Sequence, residues 1–255
     1  MILKEVIIHK YKSIEQDQKI PLEKDVTILV GMNEAGKTAV LESIAKTKYF
    51  TDDESFVFEK SHDYPRLEKK ESDKQGDDPK AITCIYELTE DEIKTIESDV
   101  GKNVLKNKTI SISSNYSNKK SYNNLDCNYQ EFLKNIKSSQ KELKNIISKM
   151  KDFSKESKTQ FMGIVKEEKL DDSIVKKVSK YFENQDKWEN PIQEYIVRVY
   201  LSKFIPKYLY YDEYYVLPSR ISLEKLKDER LEQEELKTAK ALIDLADINM
   251  QDLMK

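Results

Sequence analysis

Eight residues, Gly31 to Thr38, read GMNEAGKT and impose a strand–loop–helix order on the start of the chain. The apolar run DVTILVG at 25–31 predicts a short buried strand that stops at glycine. The apolar residues that follow the loop recur at helical spacing and predict a helix. They are Ala39, Val40, Leu41, Ile44 and Ala45.

The glycine and lysine positions of this loop suit the binding of phosphate groups. Gly31 and Gly36 allow backbone turns that a Cβ would block, so that successive N–H groups and the helix dipole face an anion. Lys37 is suited to bridge β- and γ-phosphates, and Thr38 to bind Mg²⁺. A chance glycine-rich turn is the alternative, and the flanking strand and helix argue against it. The predicted nucleotide contacts are Gly31, Asn33, Glu34, Ala35, Gly36, Lys37, Thr38 and Ala39.

Composition limits the other functions that the chain can have. Of its 255 residues, 38% are hydrophobic and 36% charged, which predicts a modest core with long solvated helices. The net charge of −3 provides no overall positive field for nucleic acid. The basic residues are nearly all lysine, so the bidentate contacts that arginine makes to phosphate or guanine are scarce.

Zinc and Ser-His-Asp chemistry have little material here. Cys84 and Cys127 are the only cysteines, and His9 and His62 the only histidines, so a Cys₄ zinc site is excluded. Both cysteines are expected to pack as small apolar residues. No apolar run reaches membrane-spanning length and no signal peptide is recognisable, which predicts a cytoplasmic protein without a membrane partner.

Local patterns predict the elements around the loop. Residues 2–9 are rich in β-branched side chains, and the tail of KSIEQDQKIPL indicates a second strand. The polar stretch 51–80 is interpreted as surface loop. AITCIYEL is a predicted strand, and the helix after it has Thr89 and Glu92 spaced as a capping box and ends at Gly101. KTISISSNYSNKKSYN is typical of a hairpin.

The pattern after Leu125 becomes helical. Two series recur every seven residues and form a seam over about three heptads. They are Tyr129, Ile136, Leu143 and Met150, with Phe132, Ser139, Ile146 and Phe153. A second stretch carries Ile174, Val178, Tyr181 and Trp188. A helical hairpin and two helices packed on the core remain open as alternatives. Pro191 predicts the start of a further helix that ends at Pro206.

The loop and its surroundings resemble a known family. GMNEAGKT, with Asn in third place, is similar to the loop of ATPases related to RecF, SMC proteins and the OLD nucleases. The opening stretch VIIHKYKSIEQDQKIPLEKDVTILVG resembles their first strands, with KYKS where many have Asn-Phe-Arg-Ser. Lys12 stands at the position of that Arg, so the resemblance implies a nucleotide contact from it. DEYYVLPSRISLEKL resembles a segment of bacterial AAA-type ATPases allied to the OLD group.

The resemblance implies an ABC-class head of two lobes. The N-terminal lobe carries the phosphate loop, and a helical or coiled-coil insertion follows it. A C-terminal lobe supplies a signature motif, Walker B acids and a switch His, and two heads enclose two ATP molecules. The chain has no LSGGQ-like segment and no TOPRIM DxD motif. The resemblance therefore accounts for the N-terminal portion of such a head.

One segment, KYLYYDEYYVLPSR at 207–220, has the order of a Walker B strand, in which Asp212 would help to hold Mg²⁺ and Glu213 would align the attacking water. Two observations oppose this interpretation: no signature motif lies upstream, and the residues that follow do not have the usual pattern. The sequence favours a structural strand of the N-terminal lobe, and Walker B remains the alternative.

The sequence thus predicts an α/β P-loop ABC-type N-lobe, with a mixed sheet, flanking helices and a helical or short coiled-coil insertion. The predicted divisions are 1–125 for the lobe, 126–205 for the insertion, 206–218 for a returning strand and 219–255 for a helical linker or arm. The long charged helix at the end, without a closing strand, predicts an incomplete chain.

The predicted function is ATP·Mg²⁺ binding through Lys37 and Thr38, with hydrolysis completed by a C-terminal lobe or a partner protein. The resemblance implies a homodimer or higher oligomer, and coupling to DNA sensing or processing in anti-phage defence. Two alternatives stay open. One is a self-contained NTPase that uses Asp212 and Glu213, and the other is a nucleotide-gated assembly module without turnover.

Overall fold

A computed structural model describes residues 1–50, 56–139, 155–168, 172–185 and 188–211, with short pieces at 226, 238–240, 242–243, 246 and 248. The described residues form a five-stranded antiparallel sheet with flanking helices. The predicted α/β class is confirmed, although every pairing within the described sheet is antiparallel. Among these residues no helix combines the length and apolarity that a membrane span requires.

The sheet has the strand order β2-β1-β3-β4-β5. Its strands are β1 (Ile2–Ile8), β2 (Gln18–Pro21), β3 (Lys80–Glu87), β4 (Thr109–Asn115) and β5 (Lys120–Asn123). The predicted second strand and the predicted hairpin are therefore confirmed as β2 and as the β4–β5 pair. β1 connects directly to the turn that precedes β2, which places that turn at one end of the sheet.

The central strands β3 and β4 are buried on both faces, so their side chains do not follow the simple alternation of a half-exposed sheet. On one face Cys84 lies opposite Ile112. On the other, Thr83 Oγ1 and Ser113 Oγ are 2.8 Å apart, and His9 Nε2 lies 2.8 Å from the same Thr83 oxygen. Buried hydroxyl groups thus satisfy one another across the strands, as buried polar groups generally must.

The helices divide into a group around the sheet and a group that follows it. The first group is α1 (Lys37–Ala45), α2 (Lys60–Asp63), α3 (Arg66–Gln75), α4 (Glu90–Val100) and α5 (Tyr129–Ser139). The second group is α6 (Lys155–Glu168), α7 (Asp172–Ser179), a 3₁₀ turn (Lys180–Phe182), α8 (Pro191–Ile196), a π-helix (Val197–Leu201) and α9 (Ser202–Phe204).

Helix boundaries follow the predicted local chemistry. Thr89 accepts a hydrogen bond from the Glu92 amide, and the Glu92 carboxylate accepts one from the Thr89 amide, which completes the capping box at the start of α4. Gly101, with φ +101°, ends that helix. Pro191 occupies the first turn of α8, and Asn190 caps it.

Two predictions about the region before β3 are wrong. The run 25–31 forms no strand with any described residue, and Val26, Ile28 and Val30 are 70%, 78% and 90% exposed. An apolar run is buried only where another surface covers it, and the described residues provide no such surface. The stretch 51–80 is not only loop, because α2 and α3 lie within it. Positions 51–55 lie outside the described residues.

The helical region packs against the same hydrophobic core as the sheet. Phe132 and Ile136 of α5, with Val178 and Tyr181, belong to one buried cluster with the strand residues. Tyr129, Phe132 and Ile136 of the heptad series therefore face the core. Positions 143, 146, 150 and 153 of that series lie outside the described residues, as does most of the charged stretch after 219.

One carboxylate joins this helical region to α4. Asp99 accepts hydrogen bonds from Tyr195 OH at 2.6 Å, from Tyr200 OH at 2.7 Å and from Tyr181 OH at 3.1 Å. Lys180 Nζ also donates to it. Burial acts to raise the pKa of Asp99, but the bonds from Lys180, Tyr195 and Tyr200 outweigh it and lower the pKa below the ordinary 3.8.

We expect Asp99→Asn to lower the free energy of unfolding by about 2 kcal/mol at neutral pH, because an amide accepts these bonds more weakly than a carboxylate. Since the folded-state pKa of Asp99 lies below 3.8, its contribution is complete above that pH and is lost as the pH falls through the lowered value. Urea unfolding at several pH values measures the difference between wild type and variant. A difference that already narrows near neutral pH would contradict this account, and the exposed Asp91→Asn serves as control.

Candidate nucleotide-binding site

The loop before α1 ends in a left-handed residue. Gly36 has φ +88° and immediately precedes Lys37, the first residue of α1. An added Cβ at Gly36 would be strained by this φ, and would lie 3.4 Å from Ser13 Oγ. The first turn of α1 contains no acidic residue, and its amides have no acceptor within the helix. This end of α1 therefore presents positive potential and free donors to an anion.

The side chain of Lys37 lies across the loop. Its Nζ donates to the carbonyl oxygens of Gly31 at 2.9 Å and Met32 at 2.6 Å. These bonds fix the ammonium group near the N-terminus of α1 while the rest of the loop stays exposed. Two neutral carbonyls do not neutralise the ammonium charge, so Lys37 retains a full positive charge to offer a phosphate group.

A cleft of about 590 Å³ opens beside this loop. Its lining residues are Lys12, Ser13, Asn33, Glu34, Gly36, Lys37, Thr38, Ala39 and Glu42. The structure thus brings Lys12 together with most of the loop residues predicted to bind nucleotide. Gly31 and Ala35 do not line this cleft; Ala35 lines a neighbouring cavity of about 460 Å³ that shares Ser13 and Lys37 with it.

A tight turn after β1 places Lys12 at the cleft. Lys12 has φ +53°, and its amide donates to the Asp63 carbonyl oxygen at 2.6 Å. The amide and carbonyl groups of Tyr11 and Ile14 pair with each other at 2.9 and 2.8 Å and close the turn. A left-handed conformation at a residue other than glycine is uncommon, and here the backbone bond to Asp63 helps to hold it.

Glu42 is a cleft residue that the sequence analysis missed. It accepts a hydrogen bond from Lys12 Nζ, and its second oxygen lies 3.7 Å from Lys46 Nζ. Glu42 follows Thr38 by four residues on α1, so the two side chains share one helix face. That spacing is the signal from which Glu42 could have been predicted. Ser13, the other missed residue, belongs to the KYKS stretch.

The predicted catalytic acids cannot be placed against this cleft. Asp212 and Glu213 lie outside the described residues. The segment just before them is placed: Tyr208 pairs in parallel with Tyr49, and its amide donates to the Lys48 carbonyl at 2.9 Å. Tyr208 therefore lies beyond the C-terminal end of α1, whereas the cleft lies at the N-terminal end.

The described part of the chain contains no additional candidate residues for metal binding or for thiol chemistry. Within it, no group of three or more His, Cys, Asp or Glu side chains is arranged to hold a metal ion. Thr38, the predicted Mg²⁺ ligand, lines the cleft. Cys84 and Cys127 are buried free thiols, and burial raises the pKa of each to about 12. Both are therefore packing residues, as predicted.

The glycine loop, its lysine and the helix behind them define a P-loop ATPase. The chain belongs to the AAA ATPase domain family, whose model matches residues 1–252. No curated protein matches the sequence. The chain is weakly similar to a solved structure, whose description concerns the ATP-driven dimerization and DNA-stimulated activation of SMC ATPases. It shares 13% identity over 55% of this chain and 80% of that chain, with a TM-score of 0.32.

Two glycines allow a test of the loop geometry. Gly36→Ala and Gly76→Ala both place a Cβ on a left-handed residue, and each should cost about 1 kcal/mol of stability. Of the two, only Gly36 lines the cleft, and a Cβ added at Gly76 would meet nothing within 4 Å. We expect Gly36→Ala to weaken MgATP binding in calorimetric titrations and Gly76→Ala to leave it unchanged. Equal effects on affinity would show that the loop conformation of Gly36 is not required.

Proposed function

We propose that the chain is the ATP·Mg²⁺-binding lobe of an ABC-class ATPase of the OLD/RecF/SMC-like group. The observation that carries this proposal is the cleft at the N-terminus of α1, which brings Lys37, Thr38 and Lys12 together. Two ammonium groups and a set of free helix amides face the same space, and a polyphosphate is the ligand that satisfies them all.

Each of these groups has a distinct role toward a bound nucleotide. The amides of Gly36, Lys37 and Thr38 would surround the β-phosphate, and the Lys37 ammonium would neutralise charge on the β- and γ-phosphates. The Thr38 hydroxyl would be a ligand of Mg²⁺, which supplies charge neutralisation between the same phosphate oxygens. Lys12, which lines the same cleft, would add a second positive charge toward the phosphates.

We further propose that hydrolysis requires a second lobe, from the same polypeptide or from a partner chain. The support for this is the exposed apolar run before the loop. Ile28 and Val30 are 78% and 90% exposed, and no described residue pairs with their backbone. An exposed apolar strand-like run next to a ligand site is a typical interaction surface. A strand of the second lobe would cover it and bring the missing catalytic groups to the cleft.

The wider role of the assembly rests on family analogy. Two such heads would associate on ATP and couple binding and hydrolysis to DNA sensing or processing, in the setting of anti-phage defence. Lysine supplies nearly all of the positive charge, so DNA binding by this assembly would be electrostatic and would weaken steeply with salt.

Lys37→Ala tests nucleotide binding. We expect it to weaken MgATP binding at least about tenfold, because a charge-assisted contact of the bound state is lost. Calorimetric titration of the folded chain measures the affinity, and Lys94→Ala, a lysine on the exposed face of α4, is the control. A wild-type chain that binds no MgATP would refute the proposed function.

ATP turnover by the same chain separates the alternatives. Trace turnover that is equal in wild type and Glu213→Gln supports a lobe that needs a second lobe for hydrolysis. Clear turnover that Glu213→Gln abolishes would instead identify a self-contained NTPase. ATP-dependent dimerisation without turnover would favour an assembly module.

The uncovered run can be tested by comparing two isoleucines. Ile28→Thr should change the free energy of unfolding by less than about 0.5 kcal/mol, because Ile28 is exposed. Ile8→Thr in β1, at a fully buried position, should cost about 2 kcal/mol or more. Chemical denaturation of the chain measures both. A large loss in Ile28→Thr would mean that this chain already covers the run, and would remove the argument for a second lobe.

A further inference from the structure

Four charged side chains form a connected group beside the cleft. Lys12 donates to Glu42, and Lys46 Nζ lies 3.7 Å from Glu42 and 2.8 Å from Asp63. The side chains of Glu42, Lys46 and Asp63 are 15%, 9% and 3% exposed, whereas Lys12 is 40% exposed. Lys12 is therefore the member of the group that can move toward a ligand with the least rearrangement.

Tyr11 lies among these charges with an unused hydrogen-bond donor. Its side chain is fully buried, and both Lys12 Nζ and Lys46 Nζ are 5.6 Å from its ring centroid. Its hydroxyl makes no well-formed hydrogen bond with any described residue, although it lies close enough to the Glu42 carboxylate to interact with it. Burial, with the nearby carboxylates of Glu42 and Asp63, raises the pKa of Tyr11, so the hydroxyl keeps its proton. A buried donor without an acceptor is costly and calls for an explanation.

A nucleotide in the cleft would change which donors are available to the Glu42 carboxylate. Its phosphates would compete with Glu42 for the Lys12 ammonium, since Lys12 and the loop lysine line the same space. If Lys12 turns to the phosphates, Glu42 loses its hydrogen bond from Lys12, and Lys46 lies at a distance too long to replace it. A largely buried carboxylate with too few donors is unfavourable. The unused donor beside it is the Tyr11 hydroxyl.

We propose that in the free protein Glu42 binds the Lys12 ammonium and keeps it away from the phosphate site. On nucleotide binding Lys12 moves to the phosphates, and the Tyr11 hydroxyl donates a full hydrogen bond to Glu42 in its place. This inference rests on the proposed function, because it requires a nucleotide in the cleft. Lys12 is then a phosphate ligand, and Glu42 and Tyr11 are positioning residues. The exchange would report nucleotide occupancy to α2, since Lys46 bonds Asp63 and Asp63 bonds the Lys12 backbone.

Tyr11→Phe gives the sharpest test. The free variant should melt at or above the wild-type temperature, because the hydroxyl that is removed is buried without a well-formed hydrogen bond. Its MgATP dissociation constant should rise about tenfold, because one hydrogen bond to a charged group is missing from the bound state only. Thermal melts and calorimetric titrations of the full chain measure the two effects. Tyr181→Phe, whose hydroxyl bonds Asp99, is the matched control and should lose stability without losing MgATP affinity.

Two further variants test the exchange itself. Glu42→Gln should tighten MgATP binding about threefold, because a partly exposed ion pair no longer retains Lys12. Lys12→Met should weaken MgATP binding, and Tyr11→Phe should have no additional effect in that background. Weaker binding in Glu42→Gln, or a Tyr11→Phe effect that persists without Lys12, would overturn the exchange.

The outcomes separate this inference from the proposed function. If wild type binds MgATP but Tyr11→Phe binds it with the same affinity, the exchange is refuted and nucleotide binding stands. If wild type binds no MgATP while the fold is intact, the proposed function fails and the exchange fails with it. Lower stability of free Tyr11→Phe would show that the hydroxyl already has a partner, which also contradicts the exchange.

Discussion

The ion pair between Lys46 and Asp63 holds the candidate site together. Its atoms are 2.8 Å apart, and both side chains are almost fully buried. Through it α1 is tied to α2, and the Asp63 carbonyl in turn holds the left-handed Lys12. A buried charge that loses its partner is strongly destabilising, so these segments keep a fixed arrangement. This pair therefore connects α1, which carries Thr38 and Glu42 of the cleft, to the turn that carries Lys12.

Where the sequence predicted the fold well, the determinants are local. Thr89 and Glu92 define a helix start through bonds three residues apart, and Gly101 ends that helix with a positive φ. The run 25–31 was wrongly predicted as buried, since burial depends on a covering surface that apolar character alone does not supply. Helix α3 was missed because its residues are almost all polar, so that no apolar stripe marks it.

The residues of the candidate site also differ in how far the sequence alone predicts them. The loop motif predicted Lys37 and Thr38 from their spacing, and both line the cleft. Lys12 came from resemblance alone, and the structure places it on the same cleft. Glu42 and Tyr11 were missed, since their importance arises from contacts between segments about thirty residues apart in the chain. Pairings over such separations follow from the tertiary fold, which a single sequence does not display.

Helix α1 lies between the cleft and the segment that contains Tyr208. It begins at the cleft and spans nine residues, roughly 13 Å. Just beyond its end, Lys48 donates to the carbonyl oxygens of Ser202 and Ile205, while burial lowers the pKa of Lys48. The Lys48 carbonyl also accepts the Tyr208 amide. The candidate phosphate-binding groups and the segment that leads to Asp212 and Glu213 are therefore attached to opposite ends of one helix.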